Sequence, residues 1–506
     1  MNGHRPSLFR PGRRPLLRAV LALLALAVPA LAFTTAWQYD SYRRAVAHQA
    51  APPAPSSGAP VRGAGASPAR EAPVVLAYHD VGPETNSHYT VSPQRFDAHL
   101  RALREAGYRT LTTGEFTEFL RTGRTPAPRS VYLTFDDGTH GLWVHADPIL
   151  ARHRMKAAAY LITGQVGTHR PYYLSWAEIE RMARSGRWDF QAHTDRSHVR
   201  SVVDATGRKA PVLTNRLWLE GERRLESERE YRLRVEADLD RSIDAFARRG
   251  LPRPELFAYP FSETRQGTNL GPNGFGALRT MLRERFTAAL TNSSSRPLPP
   301  GRRAAAAGEV QRLEVTRDTT STALLRELAR WTPVAPADVH RPLERPDDWR
   351  FPKSAEEIGI GALTGEDPHP RRTYVWADHR PIATADWTTY RVRATVTGLR
   401  GPATGAGLTV RVGSEHPAFV SLGRGTARLG ERGTKGKRCE LDPSGTHELR
   451  VSVTPEEVRV SVDGRLCGKL RSHWRTDAHG AGGFSLNVRN EDGSGPWPRF
   501  TSLTVK

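Results

Sequence analysis

Two hydrophobic periodicities divide the chain beyond residue 73. From residue 74 to about residue 330, short apolar runs alternate with stretches whose apolar side chains recur at helical spacing. The apolar runs predict strands at Val74–Tyr78, Val131–Phe135, Ala157–Ile162, Phe190–Ala192, Leu256–Tyr259, Phe286–Leu290 and Arg312–Val315. Strands that alternate with helices favour a mostly parallel sheet or a barrel, and about 250 residues suits one (β/α) barrel.

After a proline-rich connector the periodicity changes to two, which is typical of half-buried strands. The alternating runs are Trp387–Thr397, Leu408–Val412, Glu448–Val453, Val458–Val462, Phe484–Val488 and Phe500–Val505. Turn-forming residues separate them and no helical stretch intervenes, a pattern that predicts an antiparallel sandwich. The predicted fold class is therefore α/β, with a distorted (β/α) barrel at residues 74–335, a linker at 336–347 and an all-β sandwich at 348–506.

The amino terminus has the pattern of an export signal. Five arginines precede an apolar run that extends from Ala19 to Phe33. The Ala30–Ala32 stretch fits a cleavage site, whereas Ala19–Trp37 just reaches the length of a membrane-spanning anchor. Residues 1–37 are predicted to be a signal peptide or a signal anchor, and residues 38–73 a tether rich in Ala, Pro, Gly and Ser. Either outcome makes the protein extracytoplasmic, secreted or held at the membrane by its N-terminal segment.

Composition narrows the possible partners and cofactors. The chain of 506 residues carries 74 Lys and Arg against 53 Asp and Glu, a net charge of +21. No run of five basic residues and no basic stripe with interleaved aromatics is present, so we expect no nucleic-acid partner. Two cysteines exclude a metal site built from cysteine, and Cys439 and Cys467 are predicted to be either a disulfide or two buried thiols.

The sharpest chemical motif is Leu133–Gly138, in which an apolar strand ends in Asp136, Asp137 and a glycine. Side chains at the carboxyl ends of barrel strands line the active face, where one carboxylate can bind a cation while the other takes a proton. Asp-Asp-Gly is also ordinary turn chemistry, so the motif alone leaves both interpretations open.

A second motif follows another predicted strand and contains His193 and His198. Two imidazoles five residues apart do not share a helix face, so a metal would need them on a loop. Histidine pairs are usually structural or exposed, but together with the carboxylates of Asp136 and Asp137 this pair favours a metal site. Two histidines and one carboxylate form a known catalytic metal site, with a position left open for water.

Several motifs now occur in the order of a known family. They are Val74–Val81, Thr90–Pro93 with the helix Gln94–Gly107, Tyr108–Leu111, Thr134–Gly138, Gln191–His198 and Phe257–Phe261. In these the chain resembles polysaccharide deacetylases of the NodB-homology type, carbohydrate esterase family 4. The five-residue histidine spacing is most similar to the branch that deacetylates poly-β-1,6-N-acetylglucosamine. The resemblance covers about half of the chain and implies a distorted barrel of NodB type.

The resemblance also implies roles for individual residues. It implies that Asp136 is the general base and that the metal ligands are Asp137, His193 and His198. It also implies that the backbone N–H of Phe261 donates to the oxyanion. Tyr259 and Pro260 are then substrate contacts. The metal implied is divalent, and two imidazoles with one carboxylate favour Zn²⁺. Two positions depart from the family pattern: Ser262 replaces a glycine, and no Leu-x-His is found near Leu313–Thr316, where many relatives carry the general acid.

The predicted function is hydrolysis of N-acetyl groups on a poly-β-1,6-N-acetylglucosamine-like polymer. One alternative is a deacetylase of peptidoglycan or chitin-type oligomers, and another is a non-catalytic, envelope-anchored carbohydrate-binding protein. His79 and Asp80, at a strand end, are either active-face residues or structural hydrogen-bonding groups, with the second favoured. One of Thr139, His140 and His145 is a candidate sugar contact, although the default interpretation for all three is a solvated loop position.

The C-terminal domain resembles the concanavalin-like jelly roll at the level of pattern. Four tryptophans are candidates for stacking on sugar rings, and equally for the core: Trp376, Trp387, Trp474 and Trp497. Carbohydrate binding and simple packing against the barrel both stay open for this domain.

Overall fold

The computed structural model describes residues 72–506 except 84, 125–126, 265–267, 294–297, 353–357, 367–372, 415, 432–433, 473–479 and 493–494. It also describes residues 40–46, which are helical, and a few isolated positions before them. Most of the predicted signal or anchor segment and of the tether lies outside the described residues. Within the described ranges, none of the helices has the length and hydropathy that a membrane crossing requires.

The first domain alternates strands with helices, as its sequence pattern predicts. Its strands are β1 (Val74–Tyr78), β2 (Asp80–Val81), β3 (Thr90–Val91), β4 (Arg109–Thr110), β5 (Ser130–Phe135), β6 (Ala157–Leu161), β7 (Trp188–Ala192), β8 (Arg200–Val202), β9 (Lys209–Pro211), β10 (Trp218–Leu219), β11 (Arg224–Leu225), β12 (Leu256–Ala258), β13 (Ala288–Thr291), β14 (Val310–Gln311) and β15 (Leu313–Glu314). Its α-helices are α1 (Pro93–Glu105), α2 (Thr113–Thr122), α3 (Asp147–His153), α4 (Trp176–Arg184), α5 (Glu228–Ala247), α6 (Gly271–Arg283), α7 (Arg302–Ala307) and α8 (Ser321–Trp331).

Eight of these strands form one parallel sheet in the order β14-β13-β12-β7-β6-β5-β1-β15, with β4 beside β5. The two strands at the ends of this order are joined through a single residue, Arg312, so the sheet curls into a nearly closed barrel. Strands such as β1, β5 and β6 are buried along their whole length, because helices cover one face and the barrel interior the other. The predicted (β/α) barrel is confirmed.

Helix starts in this domain follow from local capping chemistry. Thr112, Ser175 and Ser227 each accept a hydrogen bond from the third backbone N–H of the following helix. In each case a glutamate three residues later accepts a hydrogen bond from the backbone N–H of the cap residue, so two otherwise unpaired donors are satisfied. These caps fix where α2, α4 and α5 begin and therefore where the preceding strand-end loops end.

The second domain is built from two antiparallel sheets. Its strands are β16 (Trp349–Arg350), β17 (Tyr374–His379), β18 (Tyr390–Thr397), β19 (Thr404–Val412), β20 (Ala418–Gly423), β21 (Thr426–Glu431), β22 (Lys437–Glu440), β23 (Thr446–Val453), β24 (Glu457–Val462), β25 (Arg465–Arg471), β26 (Gly483–Asn490) and β27 (Arg499–Val505), with one short helix, α9 (Gly361–Thr364). One sheet has the order β16-β17-β26-β19-β20-β21-β22 and the other β25-β24-β23-β18-β27. Alternate residues of both sheets form one shared core, so the predicted jelly-roll sandwich is confirmed.

The candidate tryptophans of this domain divide between core and surface. Trp387 is buried and donates its indole N–H to the Val334 carbonyl, and Trp497 packs against the core. Trp376 lies on the outward face of β17, and Trp474 lies outside the described residues. The core interpretation therefore holds for Trp387.

Cys439 and Cys467 form a disulfide. Because Cys439 lies on β22 and Cys467 on β25, the bond joins edge strands of the two sheets.

We expect reduction of this disulfide to lower the free energy of unfolding of the sandwich by about 3.5 kcal/mol, the chain-entropy value for a loop of 28 residues. Urea unfolding with and without reductant measures this loss of stability. The control is the Cys439→Ala/Cys467→Ala variant, whose stability the reductant should leave unchanged. A change below about 1 kcal/mol would show that the cross-link does not restrict the unfolded chain.

Candidate active site

The acidic motif lies at the carboxyl end of β5, inside the mouth of the barrel. Asp137 adopts a left-handed backbone (φ 72°), as does Gly138 (φ 76°), a conformation that Asp and Gly tolerate better than most residues. A Cβ on Gly138 would lie 2.8 Å from the Leu161 side chain. The motif is therefore a tight turn, and it is the turn that places both carboxylates at the active face.

The histidine motif leaves the end of β7 in a similar way. The His193 ring is buried, and its Nδ1–H donates to the Ala258 carbonyl at 2.8 Å. That hydrogen bond fixes the tautomer, so Nε2 offers its lone pair towards the barrel mouth. The loop then returns His198 to the same place, with the two ring centroids 4.8 Å apart.

Asp137, His193 and His198 converge on one point although 56 and 61 residues separate the first from the other two. The Nε2 atoms of His193 and His198 lie 3.5 Å and 3.4 Å from Asp137 Oδ1. Their potential ligand atoms all lie within 4.8 Å of one another. Parallel strands bring their carboxyl ends to one face, which is why residues so distant in sequence meet here.

This cluster passes a chemical test for a cation site. Asp137 Oδ1 is buried and has no hydrogen-bond partner among the described residues, although it faces two imidazole nitrogens. Burial and the neighbouring His193 lower the pKa of His198 to about 4, so its ring is neutral at neutral pH. Burial opposes ionisation of Asp137, but the two imidazoles hold its pKa below the ordinary value. Burial disfavours a charge on His193, but the carboxylates of Asp136 and Asp137 raise the pKa of its ring. Since a neutral imidazole and an ionised carboxylate are the forms that bind a divalent metal, metal binding here would compete with protonation of His193.

Asp136 is held by a residue that the sequence motifs did not indicate. The Arg312 guanidinium donates to both carboxylate oxygens of Asp136, at 2.7 Å and 2.6 Å, and both side chains are buried. Asn292 Oδ1 accepts a further hydrogen bond from Arg312 Nε at 2.8 Å. Burial opposes ionisation, yet the Arg312 charge holds the pKa of Asp136 well below its usual range. Asp136 is thus an oriented, ionised carboxylate beside the candidate metal ligands.

The remaining polar residues near the acidic motif differ in their hydrogen-bond partners. Asp80 accepts a 2.6 Å hydrogen bond from Thr139 Oγ1, and His140 Nε2 lies 3.1 Å from Glu178 Oε1, so these residues are structural. His145 contacts the helical turn at residues 40–46, where the Tyr42 hydroxyl is 3.3 Å away. His79 differs: its buried Nδ1 has no hydrogen-bond partner among the described residues, and its charge acts on both motif carboxylates.

The three predicted site residues after β12 differ in their exposure to solvent. Tyr259 is 1 % exposed and packs against Phe257, and Pro260 is also buried. The Tyr259 ring belongs to an apolar cluster with Phe257 and Phe286. Substrate contact at Tyr259 and Pro260 stays a prediction. Phe261, 39 % exposed, lies at the rim with its ring 4.4 Å from that of His198. Its role as a backbone donor stays a prediction.

The backbone of this segment explains the departure at position 262. Phe261 and Ser262 both have positive φ angles, 57° and 54°. Such a conformation is costly for residues other than glycine and is found mainly where surrounding contacts impose it, often at active sites. Ser262 thus adopts the conformation that a glycine would adopt with less strain, so the replacement leaves the local shape intact.

Exposed aromatic rings surround the cluster. Tyr89 and Tyr172 are 44 % and 56 % exposed. Burial and the nearby Asp137 charge raise the pKa of Tyr172 to about 12, and the same charge acts on Tyr89 and Tyr173. With Phe261, these rings give the mouth of the barrel an apolar rim around a charged centre, a surface on which sugar rings can stack.

Comparison with known proteins agrees with this geometry. Residues 123–271 match the family model for polysaccharide deacetylase. Poly-beta-1,6-N-acetyl-D-glucosamine N-deacetylase of Escherichia coli K12 is 26 % identical over 205 residues, 38 % of this chain and 30 % of the relative. The enzyme of that name from Staphylococcus aureus MRSA252 is 32 % identical over 114 residues, 22 % of this chain and 39 % of the relative. The chain thus spans about a third of the length of these curated relatives.

Among solved structures, IcaB from Ammonifex degensii aligns with a TM-score of 0.40 and 24 % identity, over 51 % of this chain and 97 % of that one. The barrel domain is therefore similar to polysaccharide deacetylases over residues 123–271, and the jelly-roll sandwich follows it.

Proposed function

We propose that this deacetylase domain hydrolyses N-acetyl groups on a polymer of N-acetylglucosamine, with poly-β-1,6-N-acetylglucosamine as its substrate class. The observation that carries the proposal is the cluster of Asp137, His193 and His198 beside the Arg312-bound Asp136. The names of the curated relatives support the substrate class. The arginine-rich, apolar start of the chain supports action outside the cytoplasm, with the protein secreted or held at the membrane.

Asp137, His193 and His198 would hold a divalent cation, and their chemistry suits Zn²⁺. When bound, the cation supplies a Lewis acid for the amide carbonyl and lowers the pKa of a coordinated water. The hydrogen bond from His193 to Ala258 fixes the ring that faces the cation. The exposed rings at the rim position the sugar and exclude water from the charged centre.

Asp136 takes the proton of the attacking water, because its carboxylate is ionised and held in one orientation by Arg312. The backbone N–H of Phe261 is proposed to stabilise the charge that develops on the carbonyl oxygen. Asp136 then returns its proton to the leaving nitrogen, since Arg312 makes the protonated carboxyl a strong acid. This return supplies the proton in a chain without a histidine at Leu313–Thr316. Acetate leaves and a free amine remains on the sugar.

The metal centre is tested by His198→Ala. We expect bound metal to fall and acetate release to drop by more than about 100-fold, because even residues that only orient a metal ligand cost about 10–100-fold. Metal analysis and acetate release from poly-β-1,6-N-acetylglucosamine measure both, with His340→Ala in the exposed connector as control. Activity that survives a chelator and the His198→Ala change would refute the metal role.

The same assay separates the substrate classes. Faster acetate release from chitin oligomers or peptidoglycan than from the β-1,6 polymer would make those the substrate instead. A folded, metal-loaded protein that releases no acetate from any of them, yet binds glycan, would be a carbohydrate-binding protein on a barrel scaffold.

A further inference from the structure

The outward face of the seven-stranded sheet of the sandwich forms a groove of about 1010 Å³. This is at the upper end of the range of about 300–1,000 Å³ for ligand sites. Five of the residues that line it are arginines, and none of its described lining residues is Asp or Glu. These arginines are Arg400, Arg424, Arg428, Arg438 and Arg489. The groove is therefore a cationic surface, since no carboxylate among its described lining residues balances the arginines.

Strand register shows how the groove floor is built. One row of outward residues crosses six adjacent strands from β17 to β22: Trp376, Asn487, Gly407, Ser421, Arg428 and Arg438. At about 4.8 Å per strand this row is about 24 Å long, which suits several sugar units of a chain better than one. At the centre of the row the Asn487 side chain lies over Gly407, because a Cβ on that glycine would lie 2.8 Å from the Asn487 amide and from the Val420 carbonyl.

Arg428 and Arg438 are directly opposite each other on neighbouring strands. Like charges in that position destabilise a sheet. Neither arginine forms an ion pair with any carboxylate in the described part of the chain, including Glu440 on the same face of β22. Both side chains are exposed. An anion between the two guanidinium groups would remove the repulsion.

The opposite outward face of the sandwich provides an internal comparison. It is also rich in arginine, but there Arg450 pairs with Glu448 at 2.5 Å and Arg459 with Glu457 at 2.7 Å. In the groove, Arg489 has a partner in Glu491 at 2.6 Å, whereas the Arg428–Arg438 pair has none among the described residues. Arginine abundance alone therefore does not explain the groove, since on the opposite face Arg393, Arg450 and Arg459 are each paired with a glutamate.

We propose that this groove binds a carboxylate-bearing polysaccharide, such as a chain of uronic acid units. Guanidinium groups match carboxylates through paired hydrogen bonds. Hydroxyl and amide side chains at Ser421, Thr426 and Asn487 suit sugar hydroxyls, and Tyr374 and Phe419 offer ring faces that a polyphosphate backbone would not use. A cationic groove repels the free amines of a deacetylated polymer. The groove therefore attaches the protein to an acidic matrix and does not retain the product of the barrel.

The experiment uses the full chain and polygalacturonate as the probe, with neutral dextran and polyphosphate for comparison. We expect Arg428→Ser/Arg438→Ser to weaken polygalacturonate binding about tenfold at 0.1 M salt and to leave acetate release unchanged. The control, Arg450→Ser/Arg459→Ser, removes the same charge from the opposite face and should change affinity less than twofold. Ser421→Phe fills the groove floor without a charge change and should weaken binding as well.

Each other outcome overturns the proposal. Equal losses in the groove variant and the control would mean general charge attraction. Equal binding of dextran would mean a neutral-sugar site, and stronger binding of polyphosphate through the same arginines would mean another anion. If the double arginine variant does not fold, as judged by circular dichroism, undiminished binding by a folded Ser421→Phe variant refutes the groove.

Discussion

Asp136→Asn is expected to keep the metal and to lose turnover by about 10²–10⁴-fold, the usual contribution of a general base. The amide occupies the same volume as the carboxylate but cannot take the proton of water. The ligand set of Asp137, His193 and His198 is untouched, so bound metal should stay near one equivalent. Acetate release and metal content, measured on the same preparation, separate these two effects.

The matched contrast is the neighbouring substitution Asp137→Asn. It removes one of the three groups that converge within 4.8 Å, so it should lose both metal and turnover. Asp136→Asn also leaves the buried Arg312 without its anionic partner, so a thermal melt must accompany the assay. Normal turnover of folded, metal-loaded Asp136→Asn would show that another group is the base.

Local pattern was sufficient to predict the barrel and the position of its site. β1 coincides with the predicted strand, and β5, β6 and β7 differ from prediction by no more than two residues at either end. Because the chemical motifs directly follow predicted strands, and parallel strands share one active face, their convergence follows from the fold class. The resemblance to a known family then supplied the individual roles.

Strands β20–β22 and the role of Arg312 depend on tertiary contacts that the local sequence does not reveal. β20, β21 and β22 have glycine or arginine at outward positions such as Gly423, Arg428 and Arg438, so no clear apolar alternation marks these strands in the sequence. Arg312 was counted as the first residue of a predicted strand, and nothing local indicates that barrel closure turns it towards Asp136. The signal available was a charged residue inside an apolar run, which is costly to bury unless an opposite charge meets it.

Tyr259 shows the limit of transferring motif positions. Tyr259 and Phe261 stand two residues apart, so strand alternation alone would send both side chains to the same side. The strand ends at Ala258, however, and the left-handed backbone of Phe261 (φ 57°) breaks the alternation. One ring enters the core while the other reaches the rim. A motif therefore predicts where a segment lies more reliably than where each side chain in it points.

The helical turn at residues 40–46 also contacts the barrel domain. Arg43 forms an ion pair with the buried Asp147, and its guanidinium lies 3.1 Å from the centroid of the Trp143 ring. Val46 belongs to the same apolar cluster as the barrel strands. The chain that emerges from the predicted signal or anchor is thus attached to the barrel before the Ala- and Pro-rich stretch begins.

Arg312→Met is expected to reduce kcat by at least tenfold with little change in KM, and to lower the free energy of unfolding by about 3–5 kcal/mol. The stability loss arises because Asp136 is left as an uncompensated buried charge. The kcat loss arises because Arg312 is a positioning residue, which orients the base without touching the substrate. Arg312→Lys keeps the charge but loses the paired hydrogen bonds, so it should recover part of both quantities.

A second substitution distinguishes positioning from mere folding. Adding Asp136→Asn to Arg312→Met removes the buried charge, so stability should recover while activity stays lost. Arg234→Met is the matched control, since Arg234 pairs with Glu226 at 2.8 Å near α5 and should lower stability without lowering kcat. If Arg312→Met keeps full kcat, Arg312 does not position the base. If the double variant is no more stable than Arg312→Met alone, the loss of stability does not come from an unpaired buried charge. A lower kcat with unchanged KM in folded Arg312→Met, partly restored in Arg312→Lys, would show that this ion pair serves the reaction through the orientation of one carboxylate.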